Sequence, residues 1–146
     1  MSLWKFKGFI NSRGVNIVSE WCDSVADEVW LAFAFNLDYL AGQPPGNWKR
    51  PWVDSLHGGK RTRKTGCAGL MEIRFEVNNI QYRPLGYFSG ELEFTILFFA
   101  EERGGAFDPP TACEIAKGNK VIIDADKERA REFVIEENIN EETSTE

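Results

Sequence analysis

Leu70-Met-Glu-Ile-Arg-Phe-Glu-Val77, Asn78-Asn79, Ile80-Gln-Tyr-Arg-Pro-Leu-Gly-Tyr-Phe88: these nineteen residues decide the fold. Apolar and polar residues alternate on either side of an Asn-Asn pair, and two-residue loops containing Asn favour tight β-hairpins. With Asn78-Asn79 as the loop, Val77 opposes Ile80, Phe75 opposes Tyr82 and Arg74 opposes Arg83. One face then carries Met71, Ile73, Phe75, Val77, Ile80, Tyr82 and Phe88, and is core. The other carries Glu72, Arg74, Glu76, Gln81, Arg83 and Tyr87, and reads as a polar site. A third strand, Glu91 to Ala100, completes an antiparallel meander. A two-residue turn at Ser89-Gly90 would put Leu92, Phe94 and Ile96 on the polar face, so a longer turn or a bulge is expected there to shift the register.

Outward from the meander the elements are mixed. Trp4 to Ile10 and Val15 to Trp21, separated by the turn signal Asn11 to Gly14, read as one or two strands. A helix is expected from Ser24, with Asp27 completing a capping box, to Gly42. Its face is Val25, Val29, Ala32, Phe33, Leu37 and Leu40, and a second stripe of Trp30, Ala34 and Phe35 predicts burial on two sides. Pro51 to His57 reads as one or two helical turns. Pro109-Pro110 introduces a helix from Thr111, weakened at Gly118-Asn119, and Asp124 is placed to cap a last helix through Val134. The fold class is α+β: an antiparallel meander packed against N-terminal helices, with a C-terminal helix.

Composition sets the bounds. The chain's 146 residues suffice for one core, and a single domain is expected over 1–134, followed by an acidic, disordered tail over 135–146. The net charge of −6 is concentrated in that tail, which holds five glutamates and no cation. Between Lys49 and Gly90 eight Lys and Arg oppose three acids, a local balance of +5. No apolar run is long enough for a membrane span and the start lacks a secretory pattern, so a cytoplasmic protein is expected. Cys22, Cys67 and Cys113 suit neither a disulfide framework nor a zinc site and read as reduced thiols, Cys22 and Cys113 in the core and Cys67 in a polar loop open to solvent.

Like charges in directly opposed positions cost stability, so Arg74 facing Arg83 has two readings. Either an anion normally lies between them, or Glu72 and Glu76 pair with them across a solvated sheet. The basic loop Lys60, Arg61, Arg63, Lys64 lies just upstream and could track a nucleic-acid backbone, with Trp48 and Trp52 as stacking platforms or, more simply, as core residues.

Gly69-Leu-Met-Glu-Ile-Arg74, Ile80-Gln-Tyr-Arg-Pro-Leu-Gly-Tyr87, Phe94-Thr-Ile-Leu97 and Asp108-Pro-Pro-Thr-Ala-Cys-Glu-Ile-Ala116, in this order and spacing, resemble the RelE/ParE toxin superfamily in its HigB-like, phage-derived branch. The likeness runs over about residues 66 to 134. It implies the toxin of a type II toxin-antitoxin system: an endoribonuclease that cuts messenger RNA, often on the ribosome, with no metal or other cofactor, and is silenced by an antitoxin carrying a helix-turn-helix domain. Attack of a ribose 2′-hydroxyl on its phosphate needs guanidinium groups, a proton acceptor and a proton donor. The resemblance assigns phosphate binding to Arg83 and Arg74 and transition-state stabilisation to Arg103. Tyr87, Glu72, Glu76 and His57 are the candidates for proton transfer. Two features depart from the family: Glu101-Glu102-Arg103-Gly-Gly replaces a lysine-rich segment, and Phe107 stands where some members place a catalytic tyrosine. The alternatives are a ParE-like binder of a protein such as DNA gyrase and a relative that has lost catalysis.

Overall fold

The structure is a computed structural model, and it describes residues 3–57, 64 and 66–133. The expected tail lies outside the described residues, as do Lys60, Arg61 and Arg63 of the basic loop. Among the described residues the fold is mixed α+β, with three α-helices and one sheet of eight strands.

The hairpin forms in the register that alternation sets. Strands β4 (Phe75–Val77) and β5 (Ile80–Gly90) pair Phe75 with Tyr82 and Val77 with Ile80. Asn78 and Asn79 both take positive φ, 51° and 66°, the left-handed turn that Asn tolerates best after Gly. Strand β3 (Met71–Ile73) continues along β5, pairing Glu72 with Leu85, and the ladder to β5 is interrupted at Ile73 and Arg74. There the backbone turns to other partners. The Arg74 N–H donates to the Trp52 carbonyl at 2.9 Å, and Asn36 Nδ2 donates to the Arg74 carbonyl at 3.0 Å.

Strand β6 (Glu93–Arg103) follows a turn at Glu91-Leu92, and the register of β5 on β6 shifts between Phe88 and Gly90 and again between Leu85 and Gly86. The first shift carries Phe94 and Ile96 into the core, which is the bulge that the apolar pattern required. At the second, Gly86 lies so close to β6 that a Cβ there would stand 2.3 Å from the Thr95 carbonyl oxygen.

The sheet extends well beyond the meander. Strand β1 (Lys5–Phe9) lies parallel to β6, and β8 (Ala130–Glu132) closes that edge, while β2 (Val53–Ser55) forms the other edge against β3. The short β7 (Ala106–Asp108) folds back on β6. Both faces of the sheet are covered. Helices α1 (Ile17–Ser24) and α2 (Asp27–Ala41) pack Val18, Phe33, Leu37 and Leu40 against Ile73, Phe94 and Ile96. Helix α3 (Ala112–Ala125) packs Cys113, Ala116 and Ile123 against Leu85, Leu97 and Ala100. The arginine-bearing face is therefore polar only near the hairpin tip and is core further along.

Several expectations are corrected. Val15 to Trp21 is no strand: Asn16 caps α1, its side chain accepting from the Val18 N–H at 3.0 Å. Ser24 ends that helix, bonding the Trp21 carbonyl, and α2 begins at Asp27 with no side-chain cap. Phe35 is 69% exposed, so α2 is not buried on two sides. Pro51 to His57 holds β2 instead of helical turns, because β3 supplies backbone partners that no local pattern reveals. Gly118-Asn119 does not interrupt α3; Asn119 Nδ2 anchors it to the Leu97 carbonyl at 2.9 Å. Beyond α3 the chain makes a 3₁₀ turn, Lys127–Arg129, and then β8 rather than a last helix.

The cysteines require the largest revision. Cys67 and Cys113 form a disulfide across 46 residues, with Cα atoms 5.2 Å apart, and Cys67 is buried rather than open to solvent. Only docking of the first turn of α3 over the loop before β3 brings them together. Cys22 keeps its thiol and is only half-buried, packed against the core rather than within it. Burial, with the charge of Asp23 beside it, pushes this thiol up to about 12. Among the described residues no helix is long and apolar enough to cross a membrane.

Candidate functional site

The register of β3 and β4 on β5 sets Arg74 against Arg83, and around them the structure builds an ion network. Glu72, on β3, is fully buried and accepts from Lys64 Nζ at 2.7 Å and from the Arg74 guanidinium. Glu102, near the end of β6, accepts from Lys64 Nζ at 2.7 Å and from Arg83 Nε at 3.0 Å. Arg83 is 3% exposed and also donates to the Tyr82 carbonyl at 2.8 Å and to Gln81 Oε1 at 2.9 Å. Three cations thus share two carboxylates.

Burial, and then the charge of Arg74, pull the Arg83 guanidinium below its ordinary value, with Glu102 opposing them. Burial pushes the Glu102 carboxyl up, but the hydrogen bonds and charges of Lys64 and Arg83 outweigh it and leave it below the usual carboxylate range.

Both arginines line a cleft of about 490 Å³ between α2 and the β4–β5 hairpin. Its apolar walls are Ala32, Phe35, Pro51, Trp52 and Phe75; its polar groups are Asn36, Arg74, Glu76, Gln81 and Arg83. The aromatic rings belong to different elements: Phe35 to α2, Trp52 to the segment before β2 and Phe75 to β4. Tyr39 of α2 stacks on Trp52 with ring centroids 3.9 Å apart, and Phe35, one turn earlier, stands 6.5 Å from the same indole. Glu76 is exposed on the cleft rim and accepts from the Gln81 amide.

The sequence-derived candidates separate into groups. Arg74, Arg83 and Glu76 share the cleft. Glu72 lies beneath it in the network, fully engaged by cations. Lys64 is turned inward, its side chain 13% exposed and its ammonium 4.7 Å from the Phe107 ring centre. Tyr87 faces α3, where Lys120 lies 5.0 Å from its ring; burial, then the charges of Asp124 and Glu93, push its phenol up. Arg103 is exposed near β7, paired with Glu101 at 3.2 Å and Asp108 at 3.4 Å, and it does not line the cleft. His57 is exposed just beyond β2 and is likewise outside the lining. Of the two tryptophans, Trp48 is core and Trp52 faces the cleft.

No family model, curated protein or solved structure matches this chain. What it can do therefore rests on this geometry. Two guanidiniums beside an aromatic wall suit an anionic ligand that carries a flat apolar part. Among the described residues no cluster of three His, Cys, Asp or Glu side chains could hold a metal ion. Sequence reasoning missed Glu102, reading it only as a departure from a basic pattern. Its signal lies in the third strand: Gln81 faces Glu102 and Arg83 faces Ala100, a register visible only once the bulge at Leu97 is known.

Proposed function

We propose that this protein is a toxin of the RelE/ParE type that takes messenger RNA into the cleft between α2 and the β4–β5 hairpin. The observation that carries this reading is that Arg74 and Arg83 line one cleft with Phe35, Trp52 and Phe75. In a metal-independent cleavage, the two guanidiniums would hold the phosphate and the charge it develops; Glu76, on the rim, would take the 2′-hydroxyl proton as that oxygen bonds to phosphorus, and return it to the 5′-oxygen as the P–O5′ bond breaks, leaving a cyclic phosphate. The resemblance adds a partner antitoxin with a helix-turn-helix domain and action on the ribosome.

A second reading, binding without cleavage, has its own support. Both arginines are already engaged by carboxylates, and Tyr87 and Arg103 stand away from the cleft. The test pairs binding with cleavage, using purified wild type and Arg74→Gln, whose backbone anchors to Trp52 and Asn36 do not need the side chain. Labelled single-stranded RNA should bind wild type and bind the variant at least tenfold more weakly. Cleavage products on a denaturing gel, lost in the variant, favour the nuclease; bound but intact RNA favours the binder. Equal RNA affinity of the two proteins would overturn the cleft assignment.

A further inference from the structure

Phe35 is a large apolar side chain left 69% exposed on α2, and it lies on the cleft wall with Trp52. Its ring and the Trp52 indole are 6.5 Å apart and tilted by 37°, too far and too oblique for either to cover the other's face. Tyr39 stacks nearly parallel on Trp52, at 19°, which fixes the indole in place. Arg74 lines the same cleft, so a cation, the exposed Phe35 ring and the half-buried Trp52 indole face one volume.

We propose that Phe35 and Trp52 form a stacking subsite for one unpaired nucleobase, adjacent to the phosphate held by Arg74 and Arg83, so that the ligand is single-stranded RNA. This rests on the RNA reading above and sharpens it. The charge of the arginine pair selects a ligand bearing a phosphate, and the aromatic wall selects one bearing a flat π-surface; a nucleotide has both. A base inside a duplex has its faces covered by its neighbours and cannot offer one to Phe35. The cleft volume of about 490 Å³ is of the size that takes one small ligand, which fits a single base and its phosphate rather than a helix.

The test is fluorescence anisotropy with a short labelled RNA of about six nucleotides, in three forms: single-stranded, single-stranded with abasic sites, and annealed to its complement. Wild type should bind the intact single strand about tenfold or more tightly than the abasic or duplex forms. Phe35→Ala should bind the intact strand as weakly as wild type binds the abasic one, while Phe35→Tyr should keep the preference. The high exposure of Phe35 protects the fold from these changes, and near-ultraviolet circular dichroism verifies it. Equal binding of intact and abasic strands, with Arg74→Gln still weakening both, overturns the stacking subsite and leaves the RNA reading standing. No binding of any RNA by wild type overturns both. Loss in Phe35→Ala with no penalty for abasic RNA also overturns stacking and assigns the ring to another contact, such as a protein partner.

Discussion

Replacing Glu102 by Gln tests the ion network and the cleft together. Arg83 is almost fully buried, and Glu102 Oε1 lies 3.0 Å from its Nε. At an effective dielectric constant of about 20, opposite charges at that distance attract by roughly 5 kcal/mol before desolvation is counted. Removing one partner of a buried pair typically costs about 3–5 kcal/mol. Here the loss is smaller, because Gln still offers an oxygen to Nε, and Arg83 keeps its bonds to Tyr82 and Gln81. A fall of about 2–3 kcal/mol is expected in urea unfolding, equivalent to roughly 8 °C in Tm for a chain of this size. The variant should also lose part of the acid sensitivity of wild type. The folded carboxyl titrates below its unfolded value of about 4.3, so its stabilisation is present above that pH and disappears as the pH falls through the folded value. Freed of its carboxylate, Arg83 should draw RNA severalfold more tightly at low salt, an effect that fades as salt screens it. Unchanged stability, within about 0.5 kcal/mol, would refute the reasoning that Glu102 neutralises a buried guanidinium.

Three further outcomes are expected. Protein isolated without reductant should show one thiol titratable after unfolding, that of Cys22, because Cys67 and Cys113 are joined; Cys67→Ser should cost about 4 kcal/mol by closure of a 46-residue loop, whereas three free thiols would disprove the bond. Native Cys22 should resist iodoacetamide at mildly alkaline pH, and its contribution to stability, intact below the unfolded thiol value of about 8.5, should be lost as pH rises toward about 12 in unfolding titrations. Gly86→Ala should destabilise by about 3 kcal/mol or more, since its Cβ would meet the Thr95 backbone oxygen and the Phe94 ring; a stability near wild type would mean that β5 and β6 do not approach as closely as described.

The sequence by itself determined what depends on neighbours along the chain. Alternation about Asn78-Asn79 set the hairpin register and the opposition of Arg74 and Arg83, and the misplacement of Leu92, Phe94 and Ile96 demanded a bulge near Ser89. The stop of α2 at Gly42 and the start of α3 after Pro109-Pro110 follow from the same local chemistry. Only the tertiary structure decided which partners come from far away. The Cys67–Cys113 bond, the capture of Arg83 by Glu102, the strand at Val53–Ser55 and the parallel pairing of β1 with β6 each join segments whose spacing carries no periodic signal. The cleft belongs to this second class: its two arginines were legible on the hairpin, but Phe35, Trp52 and Asn36 reach them only because α2 and β2 pack against the gap at Arg74. Local alternation fixes which way a side chain points, and long-range packing fixes what it meets there.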